Sequence, residues 1–377
     1  MKHKLTDVLT CGLFCGFLAL IAVLFLVLPK QEFSQKEKRV LAQVPDTSWN
    51  GVLTGTFGSQ AERYVADHIP GRDFFVGVSN YYDLLSGRQV TKDIYLAAGQ
   101  RLVERPNAEN TAAIQRNMTA INRFAETVGQ PVRLMIVPSA GFVLEDSVAG
   151  LHGDYTDDAI IERIYAHAGS GVETLDLASL FSDAQDPGAL YYRTDHHWTS
   201  LGAYTAYSAF MGAVGRGAVE KDLFAVERQP GFYGTTYARS GLWLVPPEEI
   251  ELWSTGKSFT VTAYQNAQDT EGVTHGELFY RQRLREQDKY AVFLNGNQPL
   301  IRIRNPEGEG KLLVIRDSYA NCLGTFLANS YAEVVLVDLR YYKSAVSQIV
   351  EAEGFDDILV CYSLYNFLTD ANFPWLK

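Results

Sequence analysis

The sequence predicts an α/β protein: a parallel sheet flanked by helices, with a β-rich insertion and an N-terminal transmembrane helix. Three observations carry this. Strand-like apolar runs alternate with helical stretches in two separate regions, residues 132–177 and 311–361, the pattern of a parallel sheet. The runs are near-continuous in Val, Leu and Ile, as strands covered on both faces require. Residues 8–28 contain no charged side chain and are close to the ~20 residues needed to cross hydrocarbon.

Composition narrows the classes. With 47% hydrophobic, 12% aromatic and 20% charged residues, the 377-residue chain is neither disordered, collagen-like nor coiled-coil. Thirty-three basic against 44 acidic residues give a net charge of −11, so nucleic acid is not an expected partner.

In order along the chain, residues 1–7 form a short tail and residues 8–28 the membrane anchor. A cleaved signal peptide has a shorter apolar core followed by small residues, whereas Leu28-Pro29-Lys30-Gln31 follows here, so the span reads as uncleaved. Lys2 and Lys4 precede it while Lys30, Lys36, Lys38 and Arg39 follow it, a count that does not by itself send the body outward. Residues 29–50 read as a polar juxtamembrane linker, and residues 51–377 as the α/β domain.

Ser59-Gln60-Ala61-Glu62 has capping-box spacing and opens a helix ending before Pro70; residues 72–85 suit a second. After Asn107, residues Ile114, Met118, Ile121, Phe124 and Val128 share one helical face, stopped by Gly129. Residues 132–137, ended by Pro138, read as a buried strand, followed by a helix over 157–168 and a strand over 172–177. Residues 224–305 read as the β-rich insertion, with strand runs at 259–263, 290–294 and 300–304 and a hairpin signal at Asn295-Gly296. Strands at 311–315, 333–338 and 357–361 then alternate with helices at 318–328 and 343–351. Cys11 and Cys15 lie in the span; Cys322 and Cys361 are two buried thiols, the favoured reading, or one disulfide.

Two clusters carry chemistry. Tyr191-Tyr192-Arg193-Thr194-Asp195-His196-His197-Trp198-Thr199 precedes a helix that Thr199 or Ser200 can cap. Asp195 and His197 are two apart, so in extended chain the carboxylate can orient the imidazole or both can meet a metal. The plainer alternative is a capping Asp beside surface histidines. In the second cluster, Ile315-Arg316-Asp317-Ser318-Tyr319-Ala320-Asn321, a buried strand gives way to a helix. A hydroxyl there lies at the carboxyl edge of a parallel sheet, where open α/β folds bind ligands, although Asp317 or Ser318 can simply cap the helix. A serine nucleophile needs a base, and Asp195 with His197 supplies one together with its orienting carboxylate.

Three segments together resemble the bacterial DHHW protein family. They are Tyr192-Arg193-Thr194-Asp195-His196-His197-Trp198-Thr199 with Gly202-Ala203-Tyr204, Phe293-Leu294-Asn295-Gly296-Asn297, and Ile315 through Asn321. Ala66-Asp67-His68-Ile69-Pro70-Gly71-Arg72-Asp73 and Val337-Asp338-Leu339-Arg340-Tyr341-Tyr342 fit it as well. That family is similar to the SGNH-hydrolase-like domains of alginate O-acetyltransferases. The resemblance implies a flavodoxin-like SGNH sheet with Ser318 as nucleophile, His197 as base and Asp195 as its orienter. It also implies acetyl transfer to, or removal from, a cell-surface or exported polysaccharide by a bacterial membrane protein whose body is extracytoplasmic. A membrane acyl-transfer partner would supply the acetyl groups.

Two departures stand out. Asp195 and His197 precede Ser318, the reverse of ordinary SGNH hydrolases, and Arg316 stands where their glycine would be. The first is harmless because triads are defined by geometry. The second leaves the oxyanion site open: Asn297 and Asn366 are candidate amide donors, each with a plainer reading as a turn or strand-end residue. Arg340 can bind an anionic sugar group or pair with a carboxylate, and His196 is left for packing or substrate contact. Trp198 and the tyrosines can build a sugar-stacking surface or fill the core. A metal held by Asp195, His196 and His197 ranks below the triad, since His3, His68, His152, His167 and His275 are scattered; no metal or cofactor is expected. The competing function is a non-catalytic glycan-binding or scaffolding envelope protein.

Overall fold

Side chains alternate along a strand, so strands buried on both faces must feed two separate core layers. The computed structural model describes residues 2–34, 39–88, 90–264 and 273–377. Its main sheet has eight strands: β1 (Val132–Val137), β2 (Val172–Leu175), β3 (Thr260–Tyr264), β4 (Val273–Gly276), β5 (Leu300–Arg304), β6 (Lys311–Arg316), β7 (Glu333–Val337) and β8 (Asp357–Ser363). Their spatial order is β4-β3-β5-β7-β6-β8-β1-β2. The run β7-β6-β8-β1-β2 is parallel, and β5, β3 and β4 extend it through antiparallel pairs.

Among the helices that cover this sheet are α1 (Thr111–Val128), α2 (Asp157–Tyr165), α3 (Ser200–Ala213), α4 (Ala320–Leu327), α5 (Val346–Glu353) and α6 (Leu364–Thr369). Leu134, Ile136, Leu313, Ile315, Ile358 and Val360 join one core layer with Ile121 and Phe124 of α1, Ile160 of α2, Ile349 of α5 and Phe367 of α6. Met135, Val137, Leu312, Val314, Leu359 and Cys361 join the other with Phe210 of α3 and Phe326 of α4. The result is the three-layer SGNH-like architecture. Local signals set the helix ends: the Asn110 side chain accepts from Ala113 N at the start of α1, and Gly129 ends it in the left-handed region at φ 66°.

Within the β-rich insertion, β3 and β5 pair into the main sheet while Ala225–Phe232 and Glu248–Ser254 form their own antiparallel pair. Three local expectations change there and upstream. The run at 290–294 is no strand: Lys289–Val292 is a single 3-10 turn. Leu294, Asn295 and Gly296 all have positive φ (54°, 61° and 75°), which makes a compact turn instead of a strand-linking hairpin. The helix at residues 59–68 begins earlier, spanning Thr56–His68, with Ser59 donating to Thr56 O inside it.

The chain divides into two units, residues 1–88 with 238–243 and residues 89–237 with 244–377. Residues 51–88 fall in the first unit. That unit contains an N-terminal helix, Lys2–Val27, which runs through the expected tail. Its segment Leu5–Val27 is long and apolar enough to cross a membrane, a property that a signal sequence near an N-terminus shares. Asp67 accepts from Ala42 N and His68 Nε2 meets Ala42 O in the same unit. Residues 35–38 of the expected linker, and the side chains of His3 and His275, lie outside the described residues.

Candidate active site

Ser318 sits just past the carboxyl end of β6, in the turn that enters α4. Asp317, fully buried, shapes this turn: one carboxylate oxygen accepts from Tyr319 N, the other from the backbone and hydroxyl of Ser363 and from Asn366 Nδ2. The ends of β6 and β8 are thereby tied together through one side chain.

The Asp195 loop folds back on itself. Tyr191 and Trp198 form an antiparallel bridge, Tyr192 N donates to His197 O, and Thr199 caps α3 by accepting from Gly202 N. Arg101 donates to the carbonyls of Gly188, Tyr191 and Tyr192, while Glu248 accepts from the backbone of Arg193 and Thr194 and from the Thr194 hydroxyl. Burial pushes the Glu248 carboxyl up, against the pull of those donors. Gly234 approaches Asp195 so closely that a Cβ there would lie 2.2 Å from the Asp195 Cβ.

These supports bring three side chains into line. Ser318 Oγ lies 2.8 Å from His197 Nε2, and His197 Nδ1 lies 2.5 Å from Asp195 Oδ1. Ionised Asp195 can only accept, so the His197 proton resides on Nδ1 and the Nε2 lone pair faces the serine hydroxyl. Asp195 Oδ1 also accepts from His197 N, and Oδ2 from the backbone and hydroxyl of Thr235. Burial pushes the Asp195 carboxyl up, but His197, His196 and the Thr235 backbone together hold it well below the usual carboxylate range. The His197 ring stacks on Tyr290 with centroids 3.8 Å apart and planes 8° from parallel.

The two histidines diverge. His196 Nδ1 lies 2.7 Å from Thr235 Oγ1. Because the Thr235 hydroxyl gives its only proton to Asp195, it accepts from His196, which fixes the proton on His196 Nδ1. His196, His197 and Asp195 present ligand-type atoms within 4.8 Å of one another, those of Asp195 and His197 already engaged as described.

Several candidates are committed elsewhere. Trp198 is wholly buried and donates to Tyr319 O, so it is core and offers no sugar-stacking surface. Asn366 donates from Nδ2 to Asp317, so its amide helps hold the turn that carries Ser318. Arg340 clamps Asp338 through Nε and Nη2, the carboxylate pairing that was its plainer reading. Asn297 is exposed, with Oδ1 accepting from Arg316 Nη1 and Asn321 Nδ2. Cys322 and Cys361 are both free and buried, and burial pushes both thiols up. Sequence reasoning missed Thr235, Glu248, Arg101 and Tyr290. Each acts across a separation that no local motif encodes.

The sheet order, the two helical layers and the carboxyl-edge position of Ser318 define an SGNH-like α/β protein. Residues 101–337 match the DHHW protein family, and the chain belongs to that family. It matches no curated protein by sequence. Among solved structures it is similar to a DHHW family protein from Eubacterium siraeum, 22% identical with a TM-score of 0.65, over 76% of this chain and 95% of that one. It is also similar to Bacillus cereus PatB1, solved with a sulfonyl adduct, 22% identical with a TM-score of 0.64, over 75% of this chain and 98% of that one. The O-acetyltransferase domain of Pseudomonas putida AlgJ is 18% identical with a TM-score of 0.46, over 74% of this chain and 92% of that one.

Proposed function

We propose that this DHHW protein is a membrane-anchored acyl-transfer enzyme, an O-acetyltransferase or acetylesterase acting on a cell-surface or exported polysaccharide outside the cytoplasmic membrane. The observation that carries the reading is the continuous line from Ser318 Oγ through the His197 ring to Asp195, at 2.8 and 2.5 Å. Ser318 Oγ attacks the acyl carbonyl while His197 Nε2 takes its proton; the developing imidazolium is stabilised by Asp195. Collapse of the tetrahedral intermediate breaks the bond to the donor oxygen, which leaves with the proton returned by His197, and an acyl ester remains on Ser318. An acceptor hydroxyl, of water or of a sugar, then gives its proton to His197 and attacks that ester; His197 returns the proton to Ser318 Oγ as the ester bond to it breaks. Asn297 is the proposed oxyanion donor, a reading supported by its Oδ1 being bound from within, which leaves the Nδ2 hydrogens for a ligand. A membrane partner supplying acetyl groups and a polysaccharide acceptor complete the proposal.

The test uses the full chain in detergent with an arylsulfonyl fluoride, a reagent class suited to a sulfonyl adduct like the one PatB1 carries. Peptide mass spectrometry is expected to find the adduct on Ser318, with labelling lost in His197→Ala and retained in His196→Ala. Chromogenic acetyl-ester hydrolysis should follow the same order, with His197→Ala and Ser318→Ala equally severe because triad members act as a unit. Dependence on His196 with His197 dispensable would reject the base assignment. A wild-type chain that neither labels nor hydrolyses any acetyl ester would favour the non-catalytic glycan-binding alternative.

A further inference from the structure

Arg316 is fully buried, and a buried guanidinium is costly unless it is paired and hydrogen-bonded. Its nearest carboxylate oxygen, on Asp338, is 3.6 Å away and is shared with Arg340 at 2.7 Å. Burial pulls the Arg316 guanidinium down from its ordinary value, with Asp338 opposing. Two of its nitrogens donate to Asn297 Oδ1 at 3.2 Å, Asp317 O at 3.4 Å and Gln298 O at 3.3 Å, while the buried Nε has no hydrogen-bond partner among the described residues. Packing alone would be better served by an apolar side chain.

The amide of Asn297 is where these contacts converge. Arginine can only donate, so the Asn297 atom facing Arg316 is the oxygen. Asn321 must then present its own Nδ2 to that oxygen, at 3.1 Å, and its Oδ1 is left buried without a hydrogen-bond partner among the described residues. Two orphaned polar atoms therefore accompany one fixed orientation of one exposed amide. The two residues that hold it stand on either side of Ser318: Arg316 is the last residue of β6 and Asn321 lies in the first turn of α4.

We infer that Arg316, with Asn321, is a positioning residue for acyl transfer: it locks the Asn297 carboxamide with Nδ2 outward and polarises it as the donor to the oxyanion formed on Ser318. The arginine occupies the glycine position of ordinary SGNH hydrolases and acts through another residue, never touching the reacting atoms. The inference rests on the acyl-transfer reading.

A double-mutant cycle on the full chain in detergent tests it, with hydrolysis of a chromogenic acetyl ester as readout. Asn297→Ala, which removes an exposed side chain, is expected to lower kcat by roughly 10²–10³ with KM little changed, as removal of an oxyanion donor does. Arg316→Lys, which keeps the charge opposite Asp338, should lower kcat by roughly tenfold or more, and in the Asn297→Ala background it should add almost nothing, because residues acting through one contact are not additive. Asn321→Ser enters the same amide by a second route and should also be silent in that background; it serves where Arg316→Lys fails to give a wild-type circular dichroism spectrum. Additive losses, or a change in KM alone, would overturn the inference and leave the triad standing. Ser318→Ala runs alongside: if it hydrolyses at the wild-type rate, the acyl-transfer reading falls and the inference with it.

Discussion

The Asp195 carboxylate accepts from His197 through ring and backbone and from Thr235 through backbone and hydroxyl. This side chain is buried, and its carboxyl is held below the ordinary value of 3.8 against the upward push of burial. A carboxylate with a depressed folded pKa stabilises the fold above its unfolded value, and the contribution is lost as pH falls through the folded one. Asp195→Asn removes that term while turning the orienting acceptor partly into a donor. Chemical denaturation at stepped pH should therefore show the variant less stable than wild type near neutrality, with the gap narrowing below about pH 4. Acetyl-ester kcat at neutral pH should fall about 10⁴-fold, the scale expected when the histidine loses its tautomer.

At the scale of elements, the site depends on a close approach between two segments 40 residues apart in sequence. Gly234 N donates to Thr194 Oγ1, and a Cβ on Gly234 would also meet Asp195 Oδ2 at 2.3 Å. The obstacle is steric, so Gly234→Ala must push either the Asp195 loop or the Thr235 segment aside. Thermal unfolding should show a loss of about 1–3 kcal/mol, the usual cost of overpacking. Activity should drop far more than that loss of folded protein explains, because the base loses its orientation. The βαβ regions and the Asp-x-His and Asp-Ser motifs were legible in the sequence because their signals are local: apolar runs, Gly129 as a helix stop, a strand meeting a helix. Thr235, Glu248 and Tyr290 were not, since nothing in a threonine or glutamate inside a β-rich stretch announces which loop it will hold. Residues 290–294 misled for a related reason. Their continuous apolar character serves a 3-10 turn that presses Tyr290 on His197 and seats Phe293 in the core, where burial outweighs strand propensity.

At the scale of the whole chain, the DHHW match from residue 101 to 337 falls after the apolar helix, and Asp195, His197 and Ser318 all lie within it. Where that part of the chain resides decides its substrate. A polysaccharide outside the cytoplasmic membrane is reached only if the residues after the helix are exported. The flanking charges argue the opposite: two lysines stand before residues 8–28, and Lys30, Lys36, Lys38 and Arg39 follow closely. The positive-inside bias is one term among several, and long domains translocate largely regardless of charge. An exported C-terminus is therefore the expected outcome. Fusion of alkaline phosphatase, active only after export, to Lys377 should give high activity, and a cytoplasmic reporter at the same site should be silent. The reverse pattern would reject the proposed location and any extracytoplasmic glycan with it, while leaving the Ser318 chemistry to be sought on an ester inside the cell. Charge reversal then separates the causes. Replacing Lys36, Lys38 and Arg39 by Glu should leave the phosphatase signal of an exported chain unchanged, whereas a chain retained by those charges should begin to export.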